Sequence, residues 1–141
     1  MKVVKKSGLR RGFTLIELTV VILIIGIVAT IAAPKFFQSV DKTKESSAKQ
    51  TIEVVRNAVE LFRSNTTTYL YPGQAGDQAA MKLELKPYLR KDFPELQVGK
   101  LNANIKFVTA DPVVATGDPE AWVYNKTTGE IRINQAEYIT Y

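Results

Sequence analysis

The chain has 141 residues, enough for one domain of ordinary size, of which 45% are hydrophobic and 23% are charged. It contains no Cys and no His, which excludes thiol and His-based catalysis, zinc sites with Cys or His ligands, and a disulfide framework. The net charge of +5 comes from basic residues before Phe13, and the balanced charge of the remainder argues against a nucleic-acid-binding domain.

The N-terminus has the pattern of a single membrane-spanning segment. Basic residues precede Gly12, and residues 13–34 form an apolar run in which Glu17 is the only charge. At about 1.5 Å per residue, a helix of roughly twenty residues crosses a hydrocarbon core of about 30 Å. We expect one transmembrane helix with its basic end in the cytoplasm. A removed secretory signal peptide is the alternative, but the run is long for one and lacks a strict A-x-A cleavage site.

Glu17 needs an explanation, because a carboxylate inside a spanning helix costs about 2.5–3.5 kcal/mol on insertion scales. In one interpretation the side chain lies near the membrane edge and reaches the lipid headgroups. In the other it pairs with a cation, which offsets the burial of both charges.

Residues 10–18, RRGFTLIEL, closely resemble the class III signal of type IV pilins and of the related pseudopilins of type II secretion. In that family a prepilin peptidase cleaves after the glycine, and the new N-terminal residue is N-methylated. The resemblance therefore implies cleavage after Gly12, loss of residues 1–12 as a leader, and methylation of Phe13. Because a free terminal amine has a pKa near about 8, it is mostly cationic at neutral pH. The resemblance implies that this amine pairs with Glu17 of a neighbouring subunit in the filament.

Gly26 and Pro34 lie where the family commonly has helix-weakening residues, which are linked to curvature and partial melting in assembled filaments. In a helix interior Gly and Pro cost about 1 and 3 kcal/mol relative to Ala, although membrane helices tolerate both. A simple kink is the alternative interpretation.

Residues 35–65 continue the helix in amphipathic form. Steps of four and three residues place one apolar stripe on a single face, formed by Ala48, Ile52, Val55, Val59 and Phe62. This spacing predicts a helix that packs one face on a core. The pairs Glu53 with Arg56 and Glu60 with Arg63 are ordinary i, i+3 surface contacts with no assigned function.

Residues 66–141 predict a small α+β head domain. Asp77 is placed to cap a short helix from Gln78 to about Lys86, with Met81 and Leu85 on one face. Strand patterns follow at residues 105–108, 121–124 and 130–134, the last two joined by a five-residue hairpin turn ending in Gly129. We therefore expect the fold class α+β, as the fold of the resembled family implies: a long N-terminal helix, its amphipathic half packed on a three- or four-stranded antiparallel sheet. Trp122 and Tyr124 are predicted to belong to this packing.

The loop between the first two predicted strands contains Asp111, Asp118 and Glu120, whose oxygen ligands suit calcium. Their spacing does not match an EF-hand, and they are sparse. A solvated turn is the favoured interpretation, with calcium retained as a weak alternative.

The resemblance implies a structural subunit of a pilin-like filament rather than an enzyme. We favour a type II secretion pseudopilin, because major type IV pilins commonly close a C-terminal loop with a disulfide and this chain has no Cys. A type IV pilin or a competence minor pilin is the alternative, and an uncleaved membrane-anchored binding domain is the alternative of a different class. Expected partners are prepilin peptidase, copies of the chain, other pilin-like subunits and an inner-membrane assembly platform. The expected location is the bacterial inner membrane, with a cytoplasmic N-terminus and an extracytoplasmic head.

Overall fold

The computed structural model describes residues 12–141, so the expected leader lies outside the described residues except for Gly12. The chain divides into two compact units, residues up to Val40 and residues Asp41–Tyr141. Helix α1 spans Leu15–Asn65 and contributes to both units. The second unit also contains α2 (Gln78–Leu85), a 3-10 turn (Lys86–Tyr88), β1 (Ile105–Val108), β2 (Trp122–Asn125) and β3 (Ile131–Ile133). The predicted α+β class is confirmed.

The second unit is built on the predicted apolar stripe of α1. Ala48, Ile52, Val55 and Val59 are each at most 1% exposed, and Phe62 packs against the same cluster while half-buried. Burying a Val or Ile side chain contributes about 1.5–3 kcal/mol. The periodicity of the sequence therefore located the face of α1 that forms the core.

Helix α2 forms as predicted from its cap. The Asp77 carboxylate accepts hydrogen bonds from the backbone N–H groups of Ala79 and Ala80, each at 3.2 Å. Met81 and Leu85 are fully buried, which confirms the predicted apolar face. The α-helix ends at Leu85, one residue earlier than expected, and continues as a 3-10 turn that contains Pro87.

The sheet differs from the prediction in one strand direction. In the described residues its order is β1-β2-β3, with β2 and β3 antiparallel but β1 and β2 parallel, Ile105 facing Trp122 in register. The expectation of a wholly antiparallel sheet was therefore wrong. Parallel neighbours need a crossover of about a dozen residues or more, and residues 109–121 supply a connection of that length.

Buried polar side chains hold that connection in place. Asn125 donates from Nδ2 to the carbonyl of Ala110 at 2.9 Å. Asn134 accepts at Oδ1 from the N–H of Thr116 at 2.8 Å and donates from Nδ2 to the carbonyl of Glu120 at 3.0 Å. Both asparagines are 1% exposed. Because each of these buried amides bonds to backbone groups of the connection, the two asparagines fix its path beside the β2–β3 hairpin.

Strand β2 is the centre of the core. All four of its residues are buried, and Trp122 and Tyr124 stack edge-on against Phe93 and Phe107 at 5.5 and 5.8 Å. The Tyr124 hydroxyl donates to the carbonyl of Pro72 at 3.0 Å, and burial raises the pKa of Tyr124 well above its ordinary value. The predicted packing role of both aromatic residues is confirmed.

Candidate processing and assembly site

The first described residues form an accessible junction. Gly12 and Phe13 precede α1, and the Phe13 side chain is 85% exposed. A side-chain carbon added to Gly12 would meet no atom within 4 Å. The peptide bond between these two residues is therefore open to approach in the isolated chain.

Thr14 and Glu17 form a capping box at the start of α1. The Glu17 carboxylate accepts from the backbone N–H and the hydroxyl of Thr14, each at 2.8 Å. In return the Thr14 hydroxyl accepts from the N–H of Glu17 at 3.2 Å, and its carbonyl accepts from the N–H of Leu18. The pair thus satisfies donors that the first turn of a helix leaves free.

This contact gives Glu17 a partner that the sequence interpretation missed. Glu17 was interpreted through its charge alone, as a headgroup contact or as one half of an ion pair. The missed signal is the spacing Thr14-x-x-Glu17 directly before an apolar run, which is typical of a capping box. In the isolated chain the carboxylate is therefore held beside Phe13 by its own helix.

The surface of the spanning segment is apolar and uncovered. Every residue from 12 to 39 is exposed in the isolated chain. A shallow groove of about 700 Å³ runs along α1 at Gly26, between Leu23 and Ile27. A second groove of about 330 Å³ lies between Phe13, Glu17 and Val21. Grooves at small residues allow the close approach of another helix in a membrane.

Helix α1 continues unbroken through Gly26 and Pro34. The hydroxyls of Thr19 and Thr30 bond to the carbonyls of Ile16 and Ile27 one turn earlier, so their polarity is satisfied within the helix. In the isolated chain the two proposed helix-weakening residues therefore interrupt no element. Their role in the assembled state stays a prediction.

Among the described residues, α1 is the one helix that is long and apolar enough to cross a bilayer. Its most apolar window is not buried inside the protein, unlike the core helix of a soluble domain. These properties indicate a single membrane anchor.

The three weak calcium candidates do not converge. Within residues 12–141 no group of three or more Asp, Glu, His or Cys side chains is placed to hold a metal ion. Asp118 instead forms an ion pair with the Lys106 ammonium at 3.1 Å. Hydrogen bonds from Lys106 and then from Thr116 hold the pKa of Asp118 below its ordinary value. Asp111 is exposed, and Glu120 is half-buried.

Glu130, which lies outside this loop and was not among the three candidate acids, also holds the loop in place. Its carboxylate accepts from the N–H of Val113 at 2.9 Å and pairs with Arg132 at 2.5 Å. Burial raises the pKa of Glu130, but these two contacts outweigh it and hold the pKa below its ordinary value. Glu130 thus anchors the connection from the hairpin side.

Comparison with known proteins finds one family model that matches the N-terminal part of the chain. The family described as "Prokaryotic N-terminal methylation motif" matches residues 9–33, of which 9–11 lie outside the described residues. The chain is 41% identical over 69 residues to the type IV major pilin protein PilA of Myxococcus xanthus. That alignment covers 49% of this chain and 31% of the relative.

The type II secretion system core protein G is the second kind of relative. The chain is 30% identical over 83 residues to that of Vibrio cholerae, covering 59% of this chain and 54% of the relative. It is 28% identical over 103 residues to that of Escherichia coli, and this alignment covers 73% of this chain and 66% of the relative. The chain thus spans about a third to two thirds of the length of these relatives. No solved structure gives a significant match.

Proposed function

We propose that this chain, a type IV pilin-like protein by its N-terminal motif, is a structural subunit of a filament assembled from the inner membrane. The observation that carries the proposal is the coincidence of two features in one segment. The methylation motif matches residues 9–33, and α1 begins within that segment with an exposed apolar stretch, residues 15–33, in which Glu17 is the one charged residue. An apolar helix whose surface is not covered by its own chain suits a subunit that packs against the helices of other subunits.

In the proposed pathway, prepilin peptidase removes residues 1–12 and leaves Phe13 as a methylated N-terminus. The exposed Gly12–Phe13 junction supports this step. Glu17 then exchanges its bonds to Thr14 for the Phe13 ammonium of a neighbouring subunit. Such an exchange keeps the carboxylate partnered before and after assembly, and it fixes the axial register of the subunits.

The proposed organisation has four parts. These are the leader (1–12), the transmembrane and assembly helix (13–34), its amphipathic continuation (35–65) and the head domain (66–141). In the proposed orientation the N-terminus faces the cytoplasm and the head lies outside it, which the basic residues before Phe13 support. Because the chain has no Cys, a single Thr128→Cys variant labelled by an impermeant maleimide from outside the inner membrane tests the orientation.

Within this class we favour a pseudopilin of a type II secretion system. The alignment with core protein G of E. coli covers 73% of the chain, whereas that with the M. xanthus pilin covers 49%. The type IV pilin remains the second candidate, because its identity of 41% over the shorter segment is higher. Deletion of the gene separates the two: loss of secreted proteins with intact surface pili supports the pseudopilin, and the reverse supports the pilin.

Mass spectrometry of the native protein tests the class itself. We expect a chain that begins at N-methylated Phe13, recovered from membranes and from sheared filaments. A mature protein that still begins at Met1 in cells with normal filaments would contradict the proposal. That result would favour an uncleaved anchored binding domain.

A further inference from the structure

The outer face of α1 is the face that points away from the core of the second unit. It carries two rows of exposed side chains. Val54 and Leu61 form an apolar row and are 54% and 50% exposed. Glu53 and Glu60 form an acidic row on the same outer side. The spacing of seven residues within each row places its members two turns apart along the helix. This outer face therefore combines apolar contact area with negative charge.

The two carboxylates are only partly neutralised within the chain. Glu53 bonds to Nη1 of Arg56 at 2.7 Å, while the other guanidinium nitrogen of Arg56 is directed to the sheet and the C-terminal segment. The Glu60 carboxylate lies 3.8 Å from Nη1 of Arg63, so the two groups form an ion pair without a hydrogen bond. That nitrogen instead donates to the Tyr71 hydroxyl at 2.7 Å. Both glutamates keep acceptor capacity for an outside cation.

A second surface of the same unit has the opposite charge. A groove of about 450 Å³ lies beside α2, with Phe93 and Ala103 on its floor and Lys82 and Lys86 on its edge. Leu83, between these lysines in sequence, is 71% exposed. Asp92 pairs with Lys86 at 3.5 Å, but both side chains remain mostly exposed. Exposed Arg90 and Lys91 follow, so the groove is apolar with a basic surround.

We propose that the outer face of α1 of one copy docks into this groove of the next copy. Val54 and Leu61 would cover Leu83 and the groove floor, while Glu53 and Glu60 meet Lys82 and Lys86. The inference rests on the proposed filament function and specifies one contact within it. Because the two surfaces are different patches of one chain, the contact is heterologous and propagates into a helical assembly unless its rotation closes a ring.

The loop of residues 109–121 is the competing surface for the groove. It presents Val114, which is 54% exposed, next to acidic residues. The Asp118 side chain of this loop pairs with Lys106 and is 38% exposed, whereas the Glu53 and Glu60 side chains on α1 are 62% and 61% exposed. Charge complementarity therefore favours α1 as the occupant.

Cysteine crosslinking tests the contact directly, because the chain has no native Cys. We expect full-length protein with Val54→Cys and Leu83→Cys to form a ladder of crosslinked copies in membranes with a short bis-maleimide. The matched control combines Leu83→Cys with Val114→Cys, and each single variant is also measured. A ladder from the control pair would overturn the proposal. Dimers from a single variant would also overturn it if they exceed the crosslinked products of the Val54→Cys and Leu83→Cys pair.

Charge exchange gives a second, independent measurement. We expect Lys82→Glu with Lys86→Glu to reduce sheared filaments at least tenfold while the thermal transition followed by Trp122 fluorescence stays unchanged. Adding Glu53→Lys and Glu60→Lys should restore crosslinking of the Val54→Cys and Leu83→Cys pair in the same background. Wild-type filament yield from the double variant would overturn the docking contact alone. An unprocessed wild-type chain without filaments would instead refute the filament function.

Discussion

Arg56 of α1 donates a hydrogen bond from Nη2 to the backbone oxygen of Tyr141 at 2.5 Å. The same nitrogen lies 3.4 Å from the carbonyl of Ile131 on β3. Lys49, two turns earlier on α1, places its ammonium 4.3 Å from the centre of the Tyr141 ring. One face of α1 therefore holds both the edge strand and the segment that follows it.

We expect Arg56→Ala to lower the free energy of unfolding by about 1.5–3 kcal/mol, the range for hydrogen bonds made by charged groups. The measurement is urea unfolding of the full chain in detergent, followed by fluorescence of Trp122, the only Trp and fully buried. Lys44→Ala, at an exposed position of the same helix, is the matched control. Equal stability of the two variants would show that Arg56 contributes nothing through these contacts.

Gly129 closes the β2–β3 hairpin in a conformation that other residues rarely adopt. Its φ is 75°, and a side-chain carbon there would overlap the ring of Tyr71. Gly117 has a similar φ of 77° but open space around it. We expect Gly117→Ala to cost about 1–2 kcal/mol for the backbone alone, and Gly129→Ala to cost clearly more. Equal urea midpoints for the two alanine variants would contradict the role of Tyr71.

The sequence predicted those parts of the fold that depend on local periodicity. Ala48, Ile52, Val55 and Val59 recur with the helical repeat, so the buried face of α1 followed from spacing alone. The Asp77 cap is equally local, because its bonds reach two and three residues ahead. Strand bounds were correct to within one residue at residues 105–108 and 122–125.

The direction of β1 was not predictable from any local pattern. The parallel arrangement goes with the path of residues 109–121, which Asn125 and Asn134 hold through bonds to residues 14 to 18 positions away in sequence. Polar side chains in strands ordinarily point to solvent, so alternation gives no sign of such bonds. The ion pair of Lys106 with Asp118 was not predicted either, because it joins a residue of β1 to a residue of the loop at 109–121. Glu17 differs, because the Thr14-x-x-Glu17 capping pattern is local. The sequence interpretation considered only the charge of Glu17.

The ion pair of Asp118 with Lys106 predicts an acid-sensitive loop without a metal requirement. A carboxyl whose pKa is lowered on folding stabilises the fold above its unfolded pKa, about 3.9, and loses that contribution as pH falls through the folded value. We expect wild-type stability to fall more steeply below about pH 4 than that of Asp118→Asn. Calcium and a chelator should leave thermal unfolding unchanged at neutral pH. A calcium-dependent rise would restore the loop acids as ligands.

Gly12→Val tests the processing junction. A branched side chain beside the scissile bond should obstruct the peptidase, so we expect the leader to stay attached and assembly to stop. The measurement is the mass of the membrane-bound protein, with filaments counted in the same cells. Gly26→Val controls for the general effect of a branched residue in this region, and it should be cleaved normally. Cleaved Gly12→Val protein in working filaments would contradict the assignment.

Glu17 now has three possible functions, which substitutions at two positions separate. If the carboxylate only reaches the headgroups, Glu17→Val should insert and assemble at least as well, because it removes an insertion cost of about 2.5–3.5 kcal/mol. If it mainly caps α1, Glu17→Val and Thr14→Val should have similar effects, since each removes half of one capping box. Loss of such a cap costs about 0.5–2 kcal/mol.

If Glu17 pairs with the Phe13 ammonium of a neighbour, Glu17→Val leaves that cation unpaired among apolar helices, at a cost of about 3–5 kcal/mol. We therefore predict that Glu17→Val protein is cleaved, remains in the membrane at normal abundance and forms no filaments. Thr14→Val keeps the carboxylate and should assemble with at most a modest loss. Filaments are sheared, counted by electron microscopy and compared with leader cleavage in the same cells. Wild-type filament numbers from Glu17→Val would refute the pairing, and equal losses from both variants would assign Glu17 to the cap.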